Sequence, residues 1–480
     1  MEHSFKLRQT MFLCMTISYA AAGIMNPSSS LTEILHNPDF ENITANGTSQ
    51  FLLLNRTNTI PGWSFSGAVY YVTSGNNLSF NGGHAIQLGE NGTINQTISG
   101  TNDVLDYVLS FNLAAVNDDC AQDNRTAVNV TVKARYSYNE RSKVFYLGRD
   151  FSRNFWEANA LYLGQLGMGT MDYINIEIKN VAANHSGNNV TSCGPMVDAF
   201  TVKRNFMPRW YDGTLLSNGD FEVGPSFIKN SSEGILLMND QEQELNSPLQ
   251  EWNILGTIKY IDSKHYKVPH GKAAIELLSG SPSGVQVDLN LPTTLTYTLN
   301  FTLGDANDSC IGDLVLFLEI GQNVHNFVMS SNGTGSVYRH FVTFNARPSG
   351  KTSIVFYSMN ETRTSDGVLC GPVLDNVVLI GSNAERVMKL MFTMFITLGL
   401  NHAHVAVDVC QLSFVADARN RGLPPPGNPS SLPSERLHTI IILIRRSPPH
   451  IRHLCATRRS ASFFAWKNGD EVDGNHTRLS

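Results

Sequence analysis

Two carboxylate pairs, Asp118/Asp119 and Asp305/Asp308, stand close enough in the chain to suggest acid chemistry. Glycoside hydrolysis uses two such acids held roughly 5–10 Å apart across a cleft. Each pair, however, lies in an Asn- and Asp-rich stretch beside a cysteine, Cys120 or Cys310. Asp and Asn there commonly close turns onto backbone amides, and turns are the expected role. Aromatic residues point instead to sugar recognition, since flat rings pack against the apolar faces of sugars. Trp63 and Trp252 suit core packing, which leaves Tyr71, Tyr260, His265 and Tyr266 as the candidate sugar contacts. The sequence contains no His-Glu-x-x-His, no Gly-x-Ser-x-Gly and no P-loop. The expectation is therefore no enzyme. A glycan-active hydrolase without a recognised motif and an extracellular adhesion module are the alternatives.

The elements that must position these residues are strands. In Tyr107-Val108-Leu109-Ser110-Phe111-Asn112-Leu113 and Tyr297-Thr298-Leu299-Asn300-Phe301-Thr302-Leu303, large apolar side chains occupy every second position. That period is a strand with one face buried. Short β-rich runs separated by Gly, Asn, Asp and Ser, with no long helical stripe before residue 381, indicate an all-β chain of sandwich or jelly-roll type.

The runs come in two copies. Leu35-His36-Asn37-Pro38-Asp39-Phe40-Glu41 returns as Leu216-Ser217-Asn218-Gly219-Asp220-Phe221-Glu222, and Cys193-Gly194-Pro195-Met196-Val197-Asp198 returns as Cys370-Gly371-Pro372-Val373-Leu374-Asp375. Between Tyr107–Cys120 and Tyr297–Cys310, seven of fourteen positions are identical, which marks a duplication rather than chance. The spacing of about 177 to 190 residues exceeds that of a solenoid unit and gives each copy enough chain for its own core.

Lys6, Arg8 and the apolar run Met11 to Ala22 have the layout of a secretory signal over residues 1–23. Sixteen Asn-x-Ser/Thr sequons agree with secretion; Asn42, Asn77, Asn124, Asn129, Asn300 and Asn332 are the glycosylation candidates, with Asn129 and Asn300 expected on outward strand faces. In a secreted chain Cys120, Cys193, Cys310 and Cys370 read as one disulfide in each copy, with pairing across copies as the alternative. Each loop closed is worth roughly 4 kcal/mol on chain-entropy grounds. The formal charge of −6 combines an acidic body, 23 basic and 34 acidic residues over 1–380, with a basic end of 12 and 7. Such a body is no nucleic-acid binder. The run Val387 to Leu400 is short and carries Lys389, so no stable membrane span is expected. Residues 382–480 read as a basic, poorly ordered tail.

The motifs at 215–222, 265–277, 304–310 and 370–375 closely resemble the plant cell-wall proteins catalogued as domain of unknown function 642. Pro61-Gly62-Trp63 and Cys120-Ala121-Gln122 carry the likeness into the first copy. The resemblance implies two tandem galactose-binding-like jelly-roll sandwiches, at 31–206 and 212–381, in a secreted wall protein. It further implies binding of polysaccharide (pectin, hemicellulose or cellulose) and interaction with pectin methylesterase, without catalysis. By analogy with carbohydrate-binding sandwiches of this plan, Glu41 with Asp198 and Glu222 with Asp375 are candidate ligands for a structural calcium, which takes six to eight hard oxygens.

Overall fold

The alternating runs form strands in a computed structural model. It describes residues 34–382, apart from 43–48, 74–79, 100–105, 122–124, 135–139, 149, 153–154, 165–171, 183–192, 206–213, 240–246 and 279–282. The expected signal segment, the tail from residue 383, and Cys14, Cys410 and Cys455 lie outside the described residues. Those residues are all β, with a 3₁₀ turn at Phe80–Gly82. Among them no helix is long and apolar enough to cross a membrane.

Both copies fold by one plan, as two tandem jelly-roll sandwiches. The first sends six strands to a large sheet, in the order Phe51–Leu53, Val69–Val72, Ala85–Leu88, Met196–Asn205, Asp106–Ala114 and Trp156–Gly164. The second sends Ile235–Met238, Thr257–Asp262, Ala273–Leu277, Val373–Gly381, Thr296–Gly304 and Val337–Asn345 in the corresponding order. Each copy closes over its half with a five-stranded sheet. Ser64–Ser66, Thr93–Ser99, Tyr173–Asn180, Ala127–Ala134 and Glu140–Tyr146 match Asn253–Leu255, Ser283–Asn290, Lys351–Ser358, Ile311–Ile320 and Asn323–Asn332. The disulfides Cys120–Cys193 and Cys310–Cys370 fall at equivalent places, one per copy.

The two halves of the large sheet are joined. Trp156–Gly164, the last strand of the first half, pairs in parallel with Ile235–Met238, the first of the second, setting Ala158 beside Ile235 and Asn159 beside Leu236. A single twelve-stranded sheet results. Leu109, Phe111 and Leu161 point from it into the first core. Val108, Ala158 and Ala160, on alternate positions of the same strands, point the other way and pack into the second core with Ile235, Leu237 and Trp252. The five-stranded sheets therefore cover opposite faces of the shared sheet.

Since the second core contains side chains of the first copy, the described body should unfold in one transition. Ile235 is fully buried in that core. Ile235→Ala is expected to cost about 2–4 kcal/mol and to move the single transition as a whole. Calorimetry resolving two transitions, only one of them shifted, would contradict a shared core.

Candidate functional site

The repeated Asn-x-Asp-Phe-Glu motif is first of all a knot in the backbone. Asn218 and Phe221 both take left-handed φ, near 50°. The Asn218 amide donates to the Val223 and Leu249 carbonyls and accepts from the Val223 N–H. Trp252 Nε1 donates to the Ser217 and Asn218 carbonyls, and the Tyr260 hydroxyl donates to the Phe221 carbonyl at 2.9 Å. In the first copy Trp63 donates to the Asn37 carbonyl and Tyr71 to the Phe40 carbonyl. The closing Cys-Gly-Pro needs its glycine: a Cβ on Gly371 would lie 1.8 Å from the Leu277 carbonyl oxygen.

This knot brings the motif acids to the loop before Ala273–Leu277. Glu222 Oε1 accepts from the N–H groups of Lys272 and Ala273, at 2.5 and 3.1 Å. Asp375, fully buried, accepts from His270 N at 2.7 Å and Asn376 N at 2.6 Å. Burial, then the charges of Glu222 and Asp220, push Asp375 up to about 7 against the hold of those two N–H groups. In the first copy Glu41 accepts from His84 N at 2.7 Å and meets His84 Nδ1 at 2.6 Å. Asp198 accepts from Ala199 N, and burial, with Glu41 and Asp39 adding to it, raises its carboxyl well above the ordinary range. Among the described residues no three His, Cys, Asp or Glu gather as metal ligands. Each copy offers two hard carboxylates, so most of a calcium shell would have to come from backbone carbonyls.

The aromatic candidates do not converge on one surface. Tyr71 and Tyr260 are 2% and 1% exposed, with Tyr71 stacked on His84 and Tyr260 on Phe227. Their ring faces are covered and their hydroxyls serve the knots, which corrects the expectation that they meet a sugar. Tyr266 is half-buried, and its hydroxyl accepts from Gly234 N. His265 is exposed, with Nδ1 3.1 Å from the Asp262 carboxylate. Trp63 and Trp252 are core residues. Of the acid pairs, Asp305 is fully buried and accepts from Ser331 Oγ, Asn307 N and Gly335 N, while Asp308 accepts from Cys310 N. Asp118 and Asp119 are exposed in a turn closed by the Ala121 N–H on the Asp118 carbonyl.

A further candidate surface is one the motifs do not announce. On the solvent face of the second five-stranded sheet, Leu255, Gly284, Tyr357, Phe317 and Asn326 are cross-strand neighbours in one row. The next row is Asn253, Gln286, Val355, Glu319 and Val324. Phe317 and Tyr357 stack with centroids 5.2 Å apart and planes 17° from parallel, both half-buried. Gly284 in their row is packed closely, since a Cβ there would lie 2.1 Å from the Phe356 carbonyl oxygen and 2.8 Å from Tyr357 Cβ. Gln286 and Asp288, hydrogen-bonded at 3.2 Å, carry the face into a cavity of about 210 Å³ at the junction, where Lys143, Tyr162, Met238 and Asn253 also line the wall. Lys143 Nζ donates there to the Met238 carbonyl at 2.8 Å.

The corresponding face of the first sandwich is different. Asn95, Thr97, Asn129, Thr131, Ser142 and Asn175 cover it with a hydrogen-bonded polar mesh. Asn95 and Asn129 are sequon residues. Of the other glycosylation candidates, Asn42 and Asn332 are exposed, Asn300 is half-buried on a face turned from the core, and Asn77 and Asn124 lie outside the described residues.

Duplicated motif knots, two jelly rolls and one disulfide per sandwich define a tandem galactose-binding-like β-sandwich protein. The chain belongs to the family described as protein of unknown function (DUF642), which matches residues 33–203 and 214–380. Protein TEEBE of Arabidopsis thaliana is 31% identical over 360 residues, covering 73% of this chain and 91% of that protein. Protein DUF642 L-GALACTONO-1,4-LACTONE-RESPONSIVE GENE 2, from the same plant, is 31% identical over 338 residues, 68% of this chain and 85% of its own. Among solved structures, TmCBM61 in complex with β-1,4-galactotriose is 18% identical with a TM-score of 0.23, covering 36% of this chain and 98% of that one. The CBM22-1–CBM22-2 tandem of Paenibacillus barcinonensis Xyn10C is 12% identical with a TM-score of 0.23, covering 72% and 99%. At those scores neither likeness carries functional weight.

The junction holds one more buried acid. Glu157, 2% exposed, accepts from Gly148 N, with Lys259 and Glu233 close enough to act on it electrostatically. Burial pushes it up to about 8, with Glu233 adding to the rise and the Gly148 N–H and Lys259 opposing it. Both Glu157 and Asp375 bind protons more tightly folded than unfolded. Their contribution is thus complete below about pH 4 and is lost as pH climbs through the folded values near 7 and 8. Stability is expected to fall by a few kcal/mol between pH 5 and 8, and Glu157→Gln to flatten that slope. Denaturant titrations across this range check it; an unchanged slope in the variant would count against the assignment.

Proposed function

We propose that this chain is a secreted, non-catalytic plant cell-wall glycoprotein that binds wall polysaccharide on the open face of its second five-stranded sheet. The supporting observation is the Phe317–Tyr357 stack beside Gly284, with Gln286, Glu319 and Asn326 in the same and adjacent rows. Rings of that kind take the C–H face of a sugar, while the amides and the carboxylate meet its hydroxyls. At the Asn253 and Leu255 end these rows run into the cavity lined by Lys143 and Tyr162, which offers further polar contacts to a bound polymer.

Affinity electrophoresis through gels of pectin, xylan and soluble cellulose derivatives tests the reading. Tyr357→Ala should weaken retention by the best polymer roughly tenfold while the protein still melts in a cooperative transition. Retention equal to that of the parent would remove this face from the proposal. Turnover of any polymer would sink the non-catalytic part. Pectin methylesterase, the protein partner implied by the family resemblance, is tested by pull-down with the same protein, and only that partner falls if none is retained.

Calcium at Glu222 and Asp375, with Glu41 and Asp198 as the first-copy pair, is a second element of the proposal. Its support is the buried Asp375 carboxyl, whose charged form is disfavoured by burial and, further, by Glu222 and Asp220 beside it, a cost that a divalent cation would offset. Chelated protein is expected to take up calcium in a calorimetric titration, and Glu222→Gln to weaken uptake at least tenfold. A titration without heat and without a change in melting temperature would dismiss calcium.

A further inference from the structure

The two halves of the large sheet end alike in sequence order but not in surroundings. In the first copy, Ser110 and Ala160 face each other across adjacent strands on the side turned from the first core, and both are buried because the second sandwich covers them. The equivalent pair in the second copy is Asn300 and Phe341. No later sandwich among the described residues covers that position. Phe341 is 71% exposed, more than any other large hydrophobic residue described, on a strand at the outer edge of the twelve-stranded sheet. Val378 flanks Asn300 on its other side, and Ile380, 39% exposed, extends the apolar patch.

An exposed apolar patch of this kind invites association with other chains unless something covers it. Asn300 heads the sequon Asn300-Phe301-Thr302. Directly opposed residues of antiparallel strands bring their Cβ atoms to about 5 Å. We infer that an N-linked glycan on Asn300 lays its first sugar ring across Phe341 and covers the outer face of the terminal strand, occupying in the second copy the place the second sandwich fills in the first. The linkage is an ordinary amide glycosylation: the Asn300 nitrogen gives up one proton as it bonds to the anomeric carbon of the sugar, and the bond from that carbon to the phosphate oxygen of the lipid diphosphate donor breaks, the lipid diphosphate leaving with the bonding pair. Phe341 adds no bond; its ring supplies an apolar seat.

The test is made on the full chain produced in a eukaryotic secretory host. Glycopeptide mass spectrometry should find Asn300 occupied. Asn300→Gln should lower the melting temperature by about 2 °C when Phe341 is present and by less than 1 °C in a Phe341→Ser background, with Phe341→Tyr restoring the larger loss. Phe341 is exposed enough that its substitution leaves the fold intact. An unoccupied Asn300, or equal losses in both backgrounds, would overturn the inference. So would a concentration-dependent dimer of the fully glycosylated protein that protects Phe341 in hydrogen exchange, because a second copy would then fill the seat.

Discussion

A strand at the edge of a sheet carries unpaired N–H and C=O groups, and the arrangement of this molecule follows from how that requirement is met between the copies. Ile235–Met238 closes the open edge of Trp156–Gly164, and in doing so turns two six-stranded sheets into one. Once the sheet is continuous, alternate side chains on its central strands must enter different cores, as Phe111 and Val108 do. The five-stranded sheets are then forced to opposite sides. The solvent face of the second one is left adjoining a cleft built by both copies, with Lys143 and Tyr162 from one and Gln286 and Asp288 from the other.

The motif acids have structural tasks as well as any part in binding. Glu222 and Asp375 hold the backbone of the 270–273 loop, and Glu41 does the same at His84. Burial raises the proton affinity of Asp375 and Asp198, and the neighbouring Glu222 and Glu41 add to that rise. The face proposed to meet a polymer lies elsewhere, around the Phe317–Tyr357 stack. Separating the two allows the recognition rows to vary while the knots stay fixed, and the polar first face and aromatic second face show such divergence between copies sharing one scaffold.

Much of this organisation was legible in the chain. Period-two alternation located the strands around Tyr107 and Tyr297, the duplicated motifs defined two sandwiches, and equivalent cysteines marked the disulfides. Tyr71 and Tyr260 misled because a tyrosine offers the same side chain to a sugar and to a buried carbonyl; only strand pairing shows which it meets. Phe317 and Tyr357 escaped notice for the converse reason. Each sits on the outward side of its own strand, and their stacking depends on a register between strands far apart in sequence. The run Ile235-Leu236-Leu237 reads as any buried strand, and nothing local says that its neighbour comes from the other copy.

The joining strand also sets an order of events during synthesis. Chains emerge from the ribosome N-terminus first, at about 5–20 residues per second, and domains generally fold as they appear. Trp156–Gly164 is complete well before Ile235–Met238 exists to pair with it. For several seconds the nascent first sandwich, with Cys120 and Cys193 already available to each other, presents a bare edge and the uncovered side chains of Val108, Ala158 and Ala160. Crowded nascent chains are most prone to pair wrongly with one another during that interval, and the arrival of the second copy ends it.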